Sequence, residues 1–420
     1  MATSIIVIGA GLAGAAAAMR LAAAGCAVTL IEARDRIGGR GYARPFPGGG
    51  EALEMGGAWI APWHHRLRAL VDEHGLTLRP RHPVTARLHA EAEPATYAER
   101  LAHERAIARV AADALLLKQG FGENEKGEAL RGVSFGAYLD RLTAPAFTRA
   151  LFSAWWVMSG NGDHGQAAAS EFLASSAYDG GLTEGMIMSW ADTVVPGIDV
   201  LAARMTDSSG ANAIFSSPVS EIRRHNTHVE VIAGGTHHEA DACVLALGIN
   251  QMRSIAFSPP LPAAKCEAIA IGHGGKCFKL WAKMEGVPVG TLATGDGHGI
   301  EFAFAERATA DGSTLVVAFG LADSANHPAN PAWVASEMAK LLPNARFIAH
   351  DWHDWMADPF AQGTWVAALA GREAGLEAEN WQPEGRLAFA SSDYAPDQAG
   401  WFEGAVLSGE KAADDVLRIF

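Results

Sequence analysis

Three glycines near the amino terminus have the spacing of a turn that receives a pyrophosphate. Gly9, Gly11 and Gly14 form a GxGxxG pattern directly after the β-branched run at residues 4–8. The first glycine permits a tight turn, the second lets the backbone approach the phosphates, and the third lets a helix pack closely on a strand. Glu32, at the end of the next apolar run, is placed to accept hydrogen bonds from ribose hydroxyls. Together these residues predict a dinucleotide-binding site.

The elements around these residues meet the requirements of such a site. Residues 4–8 suit a strand buried on both faces, and residues 12–24 are typical of a helix that Gly25 ends. The amide groups and the dipole at the start of this helix would face the phosphates. The alternative is an ordinary strand–helix–strand unit without a ligand. The strand before the turn, the helix after it and the acid at residue 32 favour the dinucleotide site.

The composition is that of a soluble enzyme. The 420 residues suffice for two domains, 49% are hydrophobic, 19% are charged and the net charge is −14. This charge argues against nucleic acid as a partner, because phosphate binding requires clustered lysines and arginines. The four cysteines are widely spaced and predict free thiols without a metal site. With a strand from residue 4 and no membrane-length apolar stretch, we expect a cytoplasmic protein.

A second glycine pair follows Glu32, in the segment RDRIGGR at residues 34–40. A nicotinamide-dependent dehydrogenase has no special need for this segment, whereas a longer cofactor continues past the pyrophosphate. At this point the sequence resembles the flavin-containing amine oxidase family, the group with monoamine oxidase, polyamine oxidases and L-amino-acid oxidases. Glu32 and Arg40 match the family residue by residue, and the resemblance extends to the carboxyl-terminal segment at residues 399–410. It implies FAD as the cofactor.

The resemblance also implies a fold class and a domain organisation. The expected fold is α/β, α+β overall, with a Rossmann-like FAD-binding domain and a discontinuous substrate domain of mixed sheet plus inserted helices. The FAD-binding domain would comprise residues 1–64, 205–270 and 376–420. Residues 65–204 and 271–375 would form the substrate domain, with a helical block at about residues 95–200. No Pro/Ser-rich linker marks a boundary, so we expect tightly joined domains.

Cofactor contacts are implied along the whole chain. The pair Gly56 and Gly57 would let the backbone pass beside the flavin ring, with a plain turn as the alternative. Asp393 stands where the family has a glutamate, which leaves its contact open. Thr364 falls where monoamine oxidase has the cysteine that binds flavin covalently, so we expect non-covalent FAD. The expected FAD contacts are Gly9, Gly11, Leu12, Ala13, Gly14, Glu32, Ala33, Arg34, Gly39, Arg40, Gly56, Gly57, Ala58, Trp59, Val219, Trp355, Asp393, Trp401, Ala405 and Val406.

One lysine carries the main catalytic expectation. Lys276 lies in the segment HGGKCFKLWAK at residues 273–283, which looks like the family strand whose lysine holds a water against flavin N5. Strand alternation places Lys276 on the face opposite to Lys279 and Lys283. A lysine inside a pocket costs several kcal/mol unless it is paired or deprotonated, so its burial would indicate function. The alternative is that the three lysines lie on a solvated strand face.

Aromatic residues define the expected substrate side. Trp365 and Trp401 match the two walls that face each other across the flavin ring, and we expect them to act in catalysis with Lys276. Trp59 and Tyr178 match positions beside the substrate. Relatives that oxidise α-amino acids often carry an arginine after the glycine pair, whereas this chain continues with alanine and tryptophan. These features favour an amine, and the narrow slot between two indoles predicts a flat aromatic or heterocyclic one.

The implied reaction is the two-electron oxidation of a C–N bond to an imine, which water hydrolyses to a carbonyl. Reduced FAD would be reoxidised by O2 to give H2O2, or by another acceptor. The expected partners are a small amine and this acceptor, without nucleic acid or membrane, and a homodimer stays open. Alternatives are a flavin-dependent desaturase or protoporphyrinogen-oxidase-like enzyme, a renalase-like oxidase, and a non-catalytic module like Rab GDP-dissociation inhibitors. The intact glycines and Arg40 argue against that module.

Overall fold

A parallel sheet carries the glycine-rich turn. The computed structural model describes residues 2–177, 189–295, 297, 299–322 and 327–420. The strands of this sheet are β1 (Ser4–Ile8), β2 (Ala27–Ile31), β8 (Asn212–Ile214), β12 (Ala242–Leu245) and β19 (Leu387–Phe389). Their order is β19-β12-β1-β2-β8, and all neighbours are parallel. Because β1 lies in the interior of the sheet, its β-branched side chains are buried on both faces.

Helices cover one face of the parallel sheet. They are α1 (Leu12–Ala23), α2 (His65–Glu73), α7 (Ile198–Ser209) and α10 (Phe402–Leu417), which share one apolar core with β1. The tight turn from β1 to α1 requires glycine, because Gly9 has a φ of +99°. The alanine-rich face of α1 then lets α10 and α7 approach closely.

The opposite face of the parallel sheet packs against a small second sheet. Its strands are β9 (Val219–Arg224), β10 (Val229–Ala233), β11 (Thr236–Ala240) and β13 (Ala256–Ser258), in the order β11-β10-β9-β13. β9 to β11 form an antiparallel meander, and α8 (Ala263–Ile271) closes the same apolar core. β12 follows this meander and returns the chain to the parallel sheet beside β1.

A larger mixed sheet lies on the other side of the molecule. Its strands are β6 (Ala86–His89), β14 (Cys277–Glu285), β15 (Thr291–Thr294), β16 (Phe302–Ala308), β17 (Thr314–Leu321) and β18 (Arg346–Trp352). Their order is β18-β14-β17-β16-β15-β6, so β14 lies between two neighbours. Even-numbered residues of β14 pack in a core with α9 (Pro331–Leu341), whereas odd-numbered ones face the opposite side.

A helical block covers that opposite side. It contains α3 (Tyr97–Lys118), α4 (Phe135–Arg141), α5 (Ala146–Ser159) and α6 (Ala169–Ala177). Side chains of Thr96 and Ser134 cap the starts of α3 and α4. Two antiparallel ribbons connect the layers: β3 (Ala43–Pro45) with β4 (Ala52–Glu54), and β5 (Thr77–Pro80) with β7 (Asp192–Val195). In the described ranges, no helix combines the length and apolar character that crossing a bilayer requires.

The packing of the helices does not follow the domain boundaries expected at residues 64 and 204. Leu67 of α2 and Leu201 of α7 are fully buried in the core that α1 shares with the parallel sheet. The ribbon of β5 and β7 joins the chain segments that carry these two helices. The segments at residues 65–80 and 192–204 therefore pack with α1 and the parallel sheet. Their apolar side chains lie in that core and not in the core of the helical block.

Candidate active site

A cavity of about 660 Å³ connects the parallel sheet with the mixed sheet. It extends from the glycine turn after β1 to β14 and β17, and α5, α6 and the start of α10 also border it. Its size is within the range of small-molecule and cofactor sites. Segments far apart in sequence therefore converge on one space. The expected cofactor residues that line it are Gly9, Gly11, Leu12, Ala13, Glu32, Ala33, Arg34, Gly39, Arg40, Gly56, Gly57, Ala58, Trp59, Val219, Trp355, Trp401 and Ala405.

One end of the cavity is built at the carboxyl ends of β1 and β2. Glu32 is buried there, and its two carboxylate oxygens accept hydrogen bonds from the backbone amides of Ala10 and Arg34, each at 2.8 Å. These bonds fix the carboxylate in the cavity wall, where remaining lone pairs can accept ribose hydroxyls. Gly11 is the N-cap of α1 and lacks a side chain, so the first amides of the helix stay open to an anion.

A buried carboxylate orients Arg40 in the cavity wall. The guanidinium donates hydrogen bonds to Asp393 Oδ1 at 2.6 Å and to the Thr364 carbonyl oxygen at 2.9 Å. Asp393 Oδ2 accepts the Ile249 amide at 3.0 Å. Burial would raise the pKa of Asp393, but the charge of Arg40 and the hydrogen bonds hold it below its ordinary value. Asp393 therefore stays ionised and fixes the cation.

The remaining expected cofactor contacts lie behind the cavity wall. Asp393, whose cofactor contact the sequence leaves open, does not line the cavity but is bonded to Arg40, which does. Gly14 packs α1 on β1, where a Cβ would overlap the Gly9 carbonyl oxygen. Val406 is fully buried in the core beneath α10. These residues therefore support residues in the wall instead of lining it.

A glycine pair forms the wall where the backbone comes closest to the cavity. A Cβ on Gly56 would overlap the Arg40 carbonyl oxygen, and a Cβ on Gly57 would overlap the ring of Phe402. Both glycines line the cavity. Only residues without a side chain fit between these neighbours, so the backbone itself forms a flat wall. The plain-turn alternative does not explain this double restriction.

Lys279 is the lysine that lines the cavity. It is 3% exposed, and its Nζ donates a hydrogen bond to the Gly56 carbonyl oxygen at 2.9 Å. The ammonium also lies 5.6 Å from the ring centroid of Trp59 and 5.6 Å from that of Trp281. Burial lowers the pKa of Lys279, while the nearby Glu54 opposes this shift. Lys279 is thus a buried amine whose proton is held less tightly than in solvent.

Lys276, the lysine expected in this role, lies elsewhere. Its side chain is 35% exposed, its Nζ donates to Asp163 Oδ2 at 3.3 Å, and it is not part of the cavity wall. Lys276 does lie on the opposite face of the strand from Lys279 and Lys283, as expected. The cavity, however, lies on the odd-numbered face, which carries Lys279. Trp281 on that face donates to the Glu54 carbonyl oxygen at 2.9 Å. The placement of Lys276 in the pocket was therefore wrong.

Both expected tryptophan walls line the cavity. Trp365 is fixed by a hydrogen bond from its Nε1 to the Ser159 carbonyl oxygen at 2.8 Å. Trp401 packs against His64, with ring centroids 5.2 Å apart. Burial lowers the pKa of His64 to about 3, so this ring is neutral when it supports Trp401. Uncharged neighbours therefore hold both indoles in the cavity wall.

Sequence reasoning missed several residues on the substrate side. Met158 and Ser159 of α5, Glu171 of α6 and Phe319 of β17 line the same cavity as Lys279. The helices and strands that carry these residues were expected. Which face of each element lines the cavity, however, depends on tertiary packing. A partial signal existed for Lys279, because a tryptophan two residues later lies on the same odd-numbered face of the strand. The expected substrate contact at Tyr178 lies outside the described residues.

Comparisons with known proteins agree with this geometry. The family model of flavin-containing amine oxidoreductases matches residues 12–417. The chain belongs to this family. It is 30% identical to (S)-6-hydroxynicotine oxidase of Paenarthrobacter nicotinovorans, over 98% of this chain and 99% of that protein. It is 26% identical to pseudooxynicotine dehydrogenase of a Pseudomonas species, over 98% of this chain and 85% of that protein.

Solved structures show the same fold. Putrescine oxidase with bound putrescine has a TM-score of 0.86 at 23% identity, covering 100% of this chain and 99% of that one. Cyclohexylamine oxidase from Brevibacterium oxydans has a TM-score of 0.80 at 20% identity, covering 100% and 99%. The expected fold class, a Rossmann-like FAD domain with a mixed-sheet substrate domain, is thus confirmed.

Family membership confirms an FAD-dependent oxidoreductase that acts on amines. The cavity fits this cofactor, because a carboxylate for ribose, open helix amides for a pyrophosphate and a glycine wall for a flat ring line one space. A small amine and an electron acceptor are therefore its reaction partners. A non-catalytic binding module is excluded.

Proposed function

We propose that this protein oxidises a C–N bond of a small aromatic or heterocyclic amine. The product is an imine, which water hydrolyses to a carbonyl compound and ammonia or an amine. The observation that carries this proposal is the buried Lys279 in the tryptophan-lined cavity that also holds the dinucleotide residues. FAD, when bound there, supplies the acceptor for two electrons.

The cavity favours the neutral form of the substrate amine. An alkylamine with a lysine-like pKa of about 10.4 costs roughly 4 kcal/mol to deprotonate at pH 7.4. Burial between Trp365 and Trp401 lowers that cost, because a desolvated amine holds its proton less tightly. Cation–π attraction to the same rings offsets part of this gain. The walls therefore orient the amine and help to remove its proton.

We assign to Lys279 the role expected of Lys276. One donor of its ammonium is engaged by the Gly56 carbonyl oxygen, which fixes Nζ beside the glycine wall. The other donors are available to a water molecule or to substrate. Because burial lowers its pKa, Lys279 exchanges a proton more readily than an exposed lysine, and the nearby Glu54 and Glu306 oppose part of this shift.

The relatives support a heterocyclic substrate. (S)-6-hydroxynicotine oxidase, pseudooxynicotine dehydrogenase and nicotine dehydrogenase of Pseudomonas putida are named for nicotine-type compounds, which join an aromatic heterocycle to an amine. The indoles of Trp365 and Trp401 suit such flat molecules. Putrescine oxidase shares the fold, so a slender aliphatic amine is the natural comparison substrate.

We further infer that O2 reoxidises the reduced cofactor and is converted to H2O2. The holoenzyme is incubated in air with nicotine-type amines, benzylamines and putrescine, and the amine, carbonyl and peroxide are quantified. We expect peroxide and carbonyl in equal amounts with the heterocyclic or aromatic amines. Carbonyl formed only with an added electron carrier, and without peroxide, would contradict O2 as acceptor. A preference for putrescine over every ring-bearing amine would contradict the substrate class.

Removal of either tryptophan wall should impair turnover. Trp365→Ala and Trp401→Ala are each expected to lower kcat/KM about tenfold or more, because each loses an aromatic contact and admits water to the cavity. Trp352→Ala is the matched control, since Trp352 lies on β18 outside the cavity wall and should change kcat/KM less than twofold. Steady-state constants unchanged in both wall variants would refute the aromatic walls.

The cofactor should be released intact by acid. Thr364 carries a hydroxyl that donates to Asn161 Oδ1 at 2.8 Å, and it cannot form a thioether. Among the described residues that line the cavity there is no cysteine. We therefore expect all of the flavin in the supernatant after acid precipitation of the holoenzyme. Flavin absorbance that stays with the washed precipitate would show a covalent bond.

A further inference from the structure

One acidic side chain in the cavity wall is not used by the proposed chemistry. Glu171 lies in the first turn of α6, and Ser175 follows one turn later on the same face. Both line the cavity, whereas Phe172 and Leu173 of the same helix are fully buried in the helical block. The helix phase thus turns a carboxyl and a hydroxyl toward the space that receives substrate.

The described residues provide little compensation for the charge of Glu171. In the described part of the chain, no hydrogen bond or ion pair reaches its carboxylate. The charged groups that face it are Glu373 and Arg131, and Arg131 is already bound to Glu377 at 2.8 Å. Burial first, and then the like charge of Glu373, raise the pKa of Glu171 to about 7. A ligand that brings a positive charge would therefore stabilise the ionised carboxylate.

A series of aromatic contacts leads from Lys279 toward the helical block that carries Glu171. Lys279 contacts Trp59, Trp59 packs on Phe319 with ring centroids 5.7 Å apart, and Phe319 packs on Trp365 at 6.1 Å. Trp365 in turn is bonded to the last residue of α5, which precedes α6 in the helical block. Aromatic walls therefore connect the lysine with α5 of the helical block, and Glu171 of α6 lines the same cavity.

We propose that Glu171 binds a second, protonated nitrogen of the substrate, so that the preferred substrates are amines with two basic nitrogens. This inference rests on the proposed amine oxidation and adds a subsite to it. The nitrogen at Glu171 stays charged and anchors the molecule, and Ser175 can accept a further hydrogen bond from it. The other nitrogen lies between the tryptophans in its neutral form and reacts.

Two amines of matched shape test this subsite. Para-xylylenediamine carries a second ammonium where para-ethylbenzylamine carries a methyl group. Their dissociation constants are measured without turnover, from the perturbation of the flavin spectrum of the oxidised holoenzyme under anaerobic conditions with rapid mixing. At pH 8 we expect the diamine to bind about tenfold more tightly than the monoamine. In Glu171→Gln the preference should fall to about twofold or less.

A neighbouring carboxylate supplies the matched control. Glu373 lies outside the cavity wall and accepts a hydrogen bond from the Gly132 amide, which glutamine can also accept. Glu373→Gln is therefore expected to keep the diamine preference. Because the pKa of Glu171 is raised to about 7, its charge is present above that pH and lost below it. The preference of the wild type should accordingly shrink as the pH falls from 8 to 6, and that of Glu171→Gln should not change.

Each outcome bears on the subsite separately from the proposed function. Equal binding of the two amines by the wild type, or failure of the diamine to bind, would overturn the subsite. A preference that persists in Glu171→Gln would also overturn it, because a neutral hydrogen-bond acceptor would then suffice. Reduction of the flavin by para-ethylbenzylamine alongside either result would leave the proposed amine oxidation intact. A diamine preference that Glu171→Gln removes, without flavin reduction by any amine, would support the subsite and contradict the oxidation.

Discussion

A Lys279→Met variant is expected to reduce its flavin with amine at least a hundredfold more slowly than the wild type. Methionine keeps the length and the apolar stem of lysine but removes the amine that exchanges protons in the cavity. Proton transfer by a positioned side chain contributes about 10²- to 10⁴-fold to a rate, which sets the expected magnitude. The measurement is stopped-flow absorbance of oxidised flavin after anaerobic mixing with a saturating aromatic amine.

Lys276→Met provides the control for this experiment. It removes a lysine three residues away that donates to Asp163 outside the cavity wall. Its rate of flavin reduction should stay within about twofold of the wild type, as expected for a substitution at an exposed position. If Lys276→Met slowed flavin reduction more than Lys279→Met, the catalytic lysine would be Lys276, as the sequence resemblance implies.

An Asp393→Ala variant is expected to lose about 3 kcal/mol in the free energy of unfolding. Asp393 is 1% exposed, and its removal leaves Arg40 without its carboxylate and the Ile249 amide without its acceptor. Because Arg40 lines the cavity, we also expect weaker retention of FAD. Urea denaturation of the apoprotein measures the first effect, and the flavin-to-protein ratio after gel filtration measures the second.

An exposed ion pair supplies the comparison for Asp393. Asp414 accepts a hydrogen bond from Arg20 at 2.8 Å on the surface, where solvent screens the pair. Asp414→Ala should therefore unfold at nearly the same urea concentration as the wild type and keep its flavin. An Asp393→Ala variant that matches Asp414→Ala in both measurements would contradict the role assigned to the buried pair.

The dinucleotide end could be predicted because its signals are local. Gly9, Gly11 and Glu32 lie in one strand–turn–helix–strand unit, where backbone conformation follows directly from residue type. The glycine pair at Gly56 and Gly57 was also readable, since a backbone wall beside a flat ring tolerates no side chain. The strand–turn–helix features depend on neighbours in sequence, whereas the restriction at Gly56 and Gly57 comes from Arg40 and Phe402, which are distant in sequence.

The substrate end could be predicted only in part. Strand alternation correctly separated Lys276 from Lys279, but the face that meets the cavity is decided by the neighbours of β14 in the mixed sheet. The phase of α6, which turns Glu171 into the cavity, likewise depends on packing of Phe172 in the helical block. Asp393 was identified from its motif, yet its position behind Arg40 is a tertiary feature. Sequence patterns therefore located the residues better than their orientations.

An amine bound in this cavity is expected to deliver two electrons to FAD. The most direct test of this transfer is anaerobic mixing of the holoenzyme with a panel of nicotine-type and aromatic amines while the absorbance of oxidised flavin is followed. We expect complete bleaching by one equivalent of a reactive amine, with the corresponding carbonyl formed in the same amount. A holoenzyme whose flavin stays oxidised with every amine, yet bleaches with a chemical reductant, would contradict it.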